Sequence, residues 1–409
     1  MFEIKIGSKS IISFGRSVEN PNIPLTSAKI LEIIGGQETD AGVSISEANS
    51  INFSAVYCAT RVISESIASL PLQIFRKTDK GREVIADHSL YFKLHDEPNN
   101  FQTSFTFREI MATRQCLSGN AYAFLKRDSK GIILEMIPFG LESSVIPKYD
   151  PVRSKIFYVV TENGKQKIVE QINMLHILAL SLDGIEGKSP IAIARESIGL
   201  GMSMQKFGAR FFGKGANPDF ILEHPTTLSP QAVENIKSSW AATSGGISNS
   251  HKPRVIEEGM KVTKLSIAPE EAQFLQSRMF QITEIARWFR LPPHMLGDLE
   301  RATFSNVEQQ DINFVKYSLA PWLKRWEQEL NRKLLTQEEK KNTFIEFNLD
   351  GLLRGDTQAR GEFYTKMIAS RVMSPNEVRR KENMNDYNGG DKFENPNTST
   401  QATNLPDAT

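Results

Sequence analysis

An α+β fold is predicted for this 409-residue chain, and three observations predict it. Residues 50 to 180 alternate helix-period apolar patterns with period-two strand patterns, and residues 190 to 291 carry two long helix patterns on either side of a small module. A double proline, Pro292 and Pro293, then divides the second long helix from a third. The chain therefore reads as a multi-region subunit, with an α/β body, a two-helix stalk, a small α/β tip and a short helical C-terminal part.

Composition sets the outer bounds. Hydrophobic residues make up 40% and charged residues 24%, which suits two or three packed units and not a disordered chain. Lys and Arg total 49 against 48 Asp and Glu, so the net charge is +1. That balance excludes a protein that grips nucleic acid by bulk electrostatics and leaves room only for a weak or local DNA contact. Cys58 and Cys116 sit in helical patterns and read as two buried thiols in a reducing compartment. The opening "MFEIKIGSKSIISFG" has no unbroken apolar core of a signal peptide, and no stretch reaches the roughly 18 apolar residues of a membrane span. A soluble protein with no membrane partner is expected.

In order along the chain, residues 1 to 48 mix Ser, Gly, Asn and Pro with short apolar runs and read as a mobile or partner-dependent arm. Val56, Ala59, Ile63, Ile67 and Leu70 then recur at helical spacing, and the helix must end at Pro71, where an alternating strand begins. A second helix in "SFTFREIMATRQCL" ends at Gly119. "AYAFLKRD", the turn "SKG" and "IILEMIPF" make a hairpin, and "KIFYVVTENG" and "KQKIVE" supply further strands.

The first stalk helix opens on Ser189 as N-cap and Pro190 as first helical residue. Ile193, Leu200, Met204, Phe207 and Phe211 form one apolar stripe; Ile191, Ala194, Ile198 and Met202 form another, so more than one face seeks a partner. Gly199, Gly201 and Gly208 each cost about 1 kcal/mol against Ala inside a helix, which points to close approach or a bend. Arg195, Lys206, Arg210 and Lys214 fall within about 100° of one face. This basic face reads either as a solvated or intersubunit salt-bridging surface or as a phosphate contact.

Residues 215 to 268 look like a separate module: strand "DFILEH", a helix begun by Ser229 and Pro230, a Gly/Ser loop, then strands "RVIEEG" and "KVTKLSI". Its five acidic and five basic residues cancel. The second stalk helix lies in "PEEAQFLQSRMFQITEIARWFR" and stops at Pro292 and Pro293. Ser305 and Glu308 restart the chain as an S-x-x-E capping box, and the third helix runs to about Leu335 with a kink at Pro321. Between the two helices, "HMLGDLERATF" is a loop pinned at both ends.

Catalytic chemistry finds little support. "GARFFGKG" matches the phosphate-loop pattern until Gly215 replaces the hydroxyl that would hold magnesium, and it ends a helix instead of starting one. The six histidines, at 88, 95, 176, 224, 251 and 294, show no zinc spacing, and "HDEP" at 95 to 98 reads as a helix end and turn. No G-x-S-x-G elbow occurs. No metal, cofactor or catalytic residue is assigned, and a non-enzyme is expected. A monomeric scaffold or adaptor and an unrecognised hydrolase are the competing classes, separable from a ring by oligomeric mass.

Five segments, "HSLYFKLHDEPNNFQTSFTFREIMATRQCLSGNAYAFLKRD", "HILALSLDGIEGKSPI", "FFGKGANPDFIL", "FRLPPHMLGDLERATFSNVEQQ" and "YSLAPWLKRWEQELNRKLL", together resemble the portal proteins, or head-to-tail connectors, of tailed bacteriophages. The resemblance covers roughly residues 50 to 385. It implies a ring of copies of the chain, usually twelve, at one capsid vertex of the virion, assembled in the host bacterial cytoplasm. Double-stranded DNA would pass through that ring without sequence readout during packaging and ejection. It also implies docking of the terminase large subunit, of head-completion and neck proteins, and of the major capsid protein.

On this resemblance residues 49 to 189 with 305 to 350 are the wing, 190 to 214 with 269 to 291 the stem, 215 to 268 the clip and 292 to 304 the tunnel loop. Residues 351 to 384 become a short crown and 385 to 409 a disordered tail. Leu296, Asp298, Leu299, Glu300, Arg301 and Thr303 would meet DNA in the channel, a mixture that can brush phosphates without reading bases.

Overall fold

The computed structural model describes residues 4–6, 9–12, 37–79, 81–141, 143–162, 165–213, 220–244, 259–264, 271–299, 304–349, 357–382 and 384–393. The chain divides into two units, residues 1–346 and 347–409.

In the first unit, helix Ser54–Ser69 buries Val56, Ala59, Ile63 and Ile67, the stripe its spacing predicts, against helix Ser104–Ser118. The latter is capped at its start by the Thr103 hydroxyl, which accepts from the Thr106 amide, and at its end by Gly119 at φ 76°. Gly119 also faces a crowded backbone: a Cβ there would stand 2.3 Å from the Lys188 carbonyl oxygen, and one on Gly187 would stand 1.9 Å from that of Gly119.

Three small three-stranded sheets complete the described body. Their orders are Thr343–Phe347, Leu72–Thr78, Gly81–Val84; then Met174–Leu178, Asn120–Arg127, Ile133–Pro138; then Lys165–Glu170, Lys155–Glu162, Ser144–Asp150. The hairpin read from the sequence is present with the expected partners, and the two further strands pair antiparallel with each other. The edge strand Ser144–Asp150 was not legible, because Pro147 breaks its pattern; an edge tolerates a proline whose missing N–H faces away from the ladder.

Polar side chains stitch this body together. Fully buried Gln115 donates to the Leu178 carbonyl at 2.9 Å and accepts from the buried Trp326 indole at 2.8 Å, joining a helix, a strand and the long C-terminal helix. Arg108 sends its guanidinium to the carbonyls of Ala68 and Leu94, at the ends of two helices, and burial lowers its pKa to about 10. His176 lies 3.0 Å from Asn120 Oδ1 and 3.2 Å from the Tyr158 hydroxyl, stacked on Tyr122 at 4.3 Å. Burial pushes its pKa down to about 3, so the ring is neutral.

The third long helix is interrupted where a kink was expected. An α-helical segment Phe304–Asn313 passes into a π-helical turn, Phe314–Leu319, and then into helix Ala320–Leu334. Pro321 has no N–H to offer the carbonyl four residues back, and the widened turn absorbs the loss, with the Ala320 amide bonded to Val315 instead.

Four expectations need correction. Residues 37–48 are not a free arm: Val43 and Ile45 are buried and Thr39 packs against Gly199, so only 13–36 and the gaps around residues 4–12 lie outside the described residues. Helix Phe304–Asn313 starts one residue before Ser305, which places Ser305 inside the first turn and not at the cap. Cys58 is half-buried, whereas Cys116 is buried; both are free thiols. Finally, residues 385–391 are held to the second unit and do not form a loose tail.

In that second unit, helices Thr357–Ala369 and Pro375–Lys381 form the short helical part expected, the latter opened by a Ser374–Glu377 capping box. Buried Asn376 donates to the Tyr387 carbonyl and to Asp391, both at 3.0 Å, while Arg380 pairs with Asp386 at 2.6 Å and with Asp391. The remainder of the expected tail, 394–409, is outside the described residues.

Candidate functional site: the stalk and its projecting loop

Ser189 caps the first stalk segment by accepting from the Ala192 amide, with Pro190 as first helical residue. A break at Ala194 separates helix Pro190–Ile193 from Arg195–Gly213. Its glycines are sites of close approach, as expected: a Cβ would stand 2.5 Å from Thr39 at Gly199, 2.6 Å from Phe53 at Gly201 and 3.0 Å from Phe274 at Gly208. Phe274 belongs to the second stalk helix, Glu271–Phe289, so Gly208 sets the spacing of the pair.

Of the two predicted apolar stripes, Ile191, Ala194 and Ile198 are buried within the chain, whereas Ile193, Leu200 and Phe207 remain on the surface. Among the basic residues, Arg195 is half-buried and Lys206 and Arg210 are exposed; Lys214 lies outside the described residues.

The second stalk helix does stop before the double proline. Arg290, at φ 58°, takes the left-handed conformation, with its amide on the Arg287 carbonyl and the Leu291 amide on that of Ala286. This is the reciprocal pair of a Schellman end, completed by the burial of Leu291. Pro292 then leads into a 3-10 turn, Pro293–Leu296, closed by Gly297 at φ 87°.

The stretch beyond the prolines is thus half structure and half loop. His294 touches Gln310 Oε1 at 2.8 Å and Asp311 Oδ1 at 2.9 Å, tying the turn to the third helix. The Cys58 thiol donates to the Met295 carbonyl. Asp298 accepts from the Thr283 hydroxyl at 2.9 Å, so its carboxylate is held to the second stalk helix. Leu296 is half-buried and Leu299 is 65% exposed. Glu300, Arg301 and Thr303 are outside the described residues.

Thr283, His294, Gln310 and Asp311 were missed in the sequence because no spacing relates residue 283 to 298, or 294 to 310; only the fold brings them together. In the tip module, strands Phe220–Glu223 and Lys261–Lys264 pair antiparallel and helix Pro230–Ser244 begins at Ser229 as expected, while residues 245–258, including most of "RVIEEG", are outside the described residues. Among the described residues, no group of three His, Cys, Asp or Glu gathers as a metal site, and no helix is long and apolar enough to cross a membrane.

Comparison with known proteins gives this arrangement a context. The chain is 33% identical over 359 residues to a "Probable portal protein" of Streptomyces phage phiC31, covering 85% of this chain and 78% of that protein. It is 32% identical over 355 residues to the "Portal protein" of Enterobacteria phage HK97, covering 85% and 82%. Its fold matches a chain solved in the neck of an empty gene transfer agent particle computed with C6 symmetry, at TM-score 0.58 and 18% identity, covering 89% of this chain and 100% of that one. The profile of the family described as phage portal protein matches residues 54–383, from the first long helix through the second unit, and with these levels of identity to two phage portal proteins the chain belongs to that family.

Proposed function

We propose that copies of this chain assemble into a ring at one vertex of a phage capsid, usually of twelve subunits, and that double-stranded DNA enters and leaves through the ring. The observation that carries the reading is family membership across residues 54–383, which takes in the body, the stalk and the loop together. The role is structural: the ring guides DNA, and ATP hydrolysis belongs to the packaging motor that docks on it.

The loop after the double proline forms a collar around the channel. Its base is registered by the Thr283–Asp298 and His294–Asp311 contacts, which tie it to the second stalk helix and to the third helix. Contacts with phosphates alone position DNA and carry no direct sequence information. The module at 215 to 268 is the docking tip for the terminase large subunit and later the neck proteins, and the major capsid protein surrounds the body. Near-neutral charge favours passage, because many cation–phosphate contacts would hold DNA in place.

Negative-stain images of the purified chain, co-expressed with its capsid proteins, should show rings with an axial hole; a persistent monomer would overturn the reading. Replacing Asp298, Glu300 and Arg301 together by Ala should leave the ring intact and lower DNA packaging or retention. Deleting residues 243 to 250 should spare the ring and weaken motor binding. Parent-level packaging in the first variant, or parent-level motor binding in the second, removes the corresponding assignment.

A further inference from the structure

A cleft of about 410 Å3 opens on the body between the turn that joins strands Ser144–Asp150 and Lys155–Glu162, the 3-10 turn Gln171–Asn173 and the last turn of helix Ala320–Leu334. Ile156, Phe157 and Ile172 give it an apolar lining, and Arg153, Lys155, Arg332 and Lys333 supply cations. A fifth cation, Arg127, donates to the Lys333 carbonyl at 3.0 Å, while its Nε is buried without a hydrogen-bond partner among the described residues. Three carboxylates answer these five. Glu329 holds Arg332 through two bonds, at 2.7 and 2.9 Å. Asp150 accepts from the Val152 and Arg153 amides and stands 3.9 Å from the Arg153 guanidinium, and Glu170 lies on the exposed rim. Two positive charges are left over. Lys333 bears the heaviest penalty: its ammonium donates to the Gln171 carbonyl, and burial, with Arg332 and Arg127 beside it and Glu329 opposing, pushes its pKa down to about 8. A cation at a helix C-terminus is ordinary, but a fully solvated one would complement the dipole without that penalty.

We infer that this cleft binds a phosphate monoester, its dianion set against Lys333, Lys155 and Arg153 and its organic part against Ile156, Phe157 and Ile172. The inference is independent of the ring reading. A monoester carries close to two negative charges near neutral pH and so matches the unanswered pair, whereas a carboxylate would match one. Lys333 keeps two N–H donors after Gln171, and Arg153 and Lys155, both exposed, can turn toward a ligand. The cleft falls within the size range of small-ligand sites and exceeds what a phosphate alone fills, which leaves room for an organic group such as a nucleoside. A nucleic-acid backbone, with one charge per phosphate, fits the charge excess less well.

The test is acetylation of lysines in the purified full chain by an N-hydroxysuccinimide ester near pH 8, read by peptide mass spectrometry at constant ionic strength. Inorganic phosphate and deoxyadenosine 5′-monophosphate should each slow labelling of Lys333 about fivefold or more, and saturably, because a bound dianion holds the ammonium protonated and covers it. The nucleotide should act at the lower concentration. Deoxyadenosine and sodium chloride should have no effect, and exposed Lys77 should keep its rate throughout. The double variant Arg153→Ala, Lys155→Ala, altered only at exposed positions, should need about tenfold more of either phosphate for half-protection. Failure of either phosphate to protect saturably overturns the inference, as does equal protection by deoxyadenosine or parent-like protection in the double variant. Protection by a DNA duplex with unphosphorylated ends, as strong per phosphate as by the nucleotide, also overturns it, by assigning the cleft to the DNA backbone.

Discussion

Thr283→Val deletes one hydroxyl while keeping the branched shape of the side chain, so it isolates the bond that ties the loop to the stalk. The hydroxyl donates to Asp298 Oδ2 at 2.9 Å. A hydrogen bond to a charged acceptor contributes about 1.5–3 kcal/mol. Both side chains are only half-buried, and solvent screening brings the expectation to about 1–2 kcal/mol. Falling on the opening of the 3-10 turn and not on global unfolding, that loss raises the open population about 5- to 30-fold. Native-state hydrogen exchange reads it directly. The amides of Met295, Gly297 and Asp298 are bonded to the carbonyls of Pro292, His294 and Pro293, and these three should exchange about 5- to 30-fold faster in the variant. Amides inside helix Ser104–Ser118 should keep their parent rates. Unchanged exchange at the three loop amides would refute the anchoring argument, and so would an acceleration shared equally by the whole body.

Trp326→Phe should destabilise the body by about 2–4 kcal/mol in denaturant unfolding, because Gln115 Oε1 loses its buried donor and the smaller ring leaves a gap; a loss under about 0.5 kcal/mol would contradict this. Gly187→Ala places a methyl 1.9 Å from the Gly119 carbonyl and should cost about 2 kcal/mol or more, seen as a lower midpoint; a parent-like midpoint would mean that the two backbones can part freely. His176 has its folded pKa lowered to about 3 from an ordinary 6.5, so the unfolded chain binds the extra proton first. Its contribution to stability is fully present above about pH 6.5 and drains away as pH falls toward 3, by up to about 1.4 kcal/mol per pH unit. His176→Gln, which keeps hydrogen-bonding capacity without titrating, should flatten the melting temperature between pH 7 and pH 4; an unchanged slope would assign the acid sensitivity to other groups.

The parts of the fold that could be read from the sequence are those set by local rules. The helix stripe through Val56, Ile63 and Ile67, the Gly119 cap, the Ser189–Pro190 start and the stop before Pro292 each depend on residues within a turn or two of one another. What could not be read depends on distant partners. Segment 37–48 looks like an arm because its order comes from Gly199 and from a 2.8 Å bond between Ser203 and the Ala41 carbonyl, more than 150 residues away. Residues 385–391 look like a tail because Asn376 and Arg380 hold them through side-chain bonds that leave no periodic trace. At the loop, two prolines announced a stop, but the Arg290 helix end was not legible, since a left-handed arginine carries none of the signal that a glycine there would give. Asp298, singled out in the sequence as a residue of the loop, also accepts from Thr283, a contact that no spacing reveals.

The π-helical turn at Phe314–Leu319 separates two jobs carried by one helix. On its N-terminal side, Gln310 and Asp311 hold the loop through His294; on its C-terminal side, Trp326 is locked into the body. Such a turn carries one residue more than an α-turn, so its hydrogen bonds can step along by one position as the local winding changes. In mechanical terms the turn is a coupling, set between the end of the helix that meets the loop and the end that meets the body.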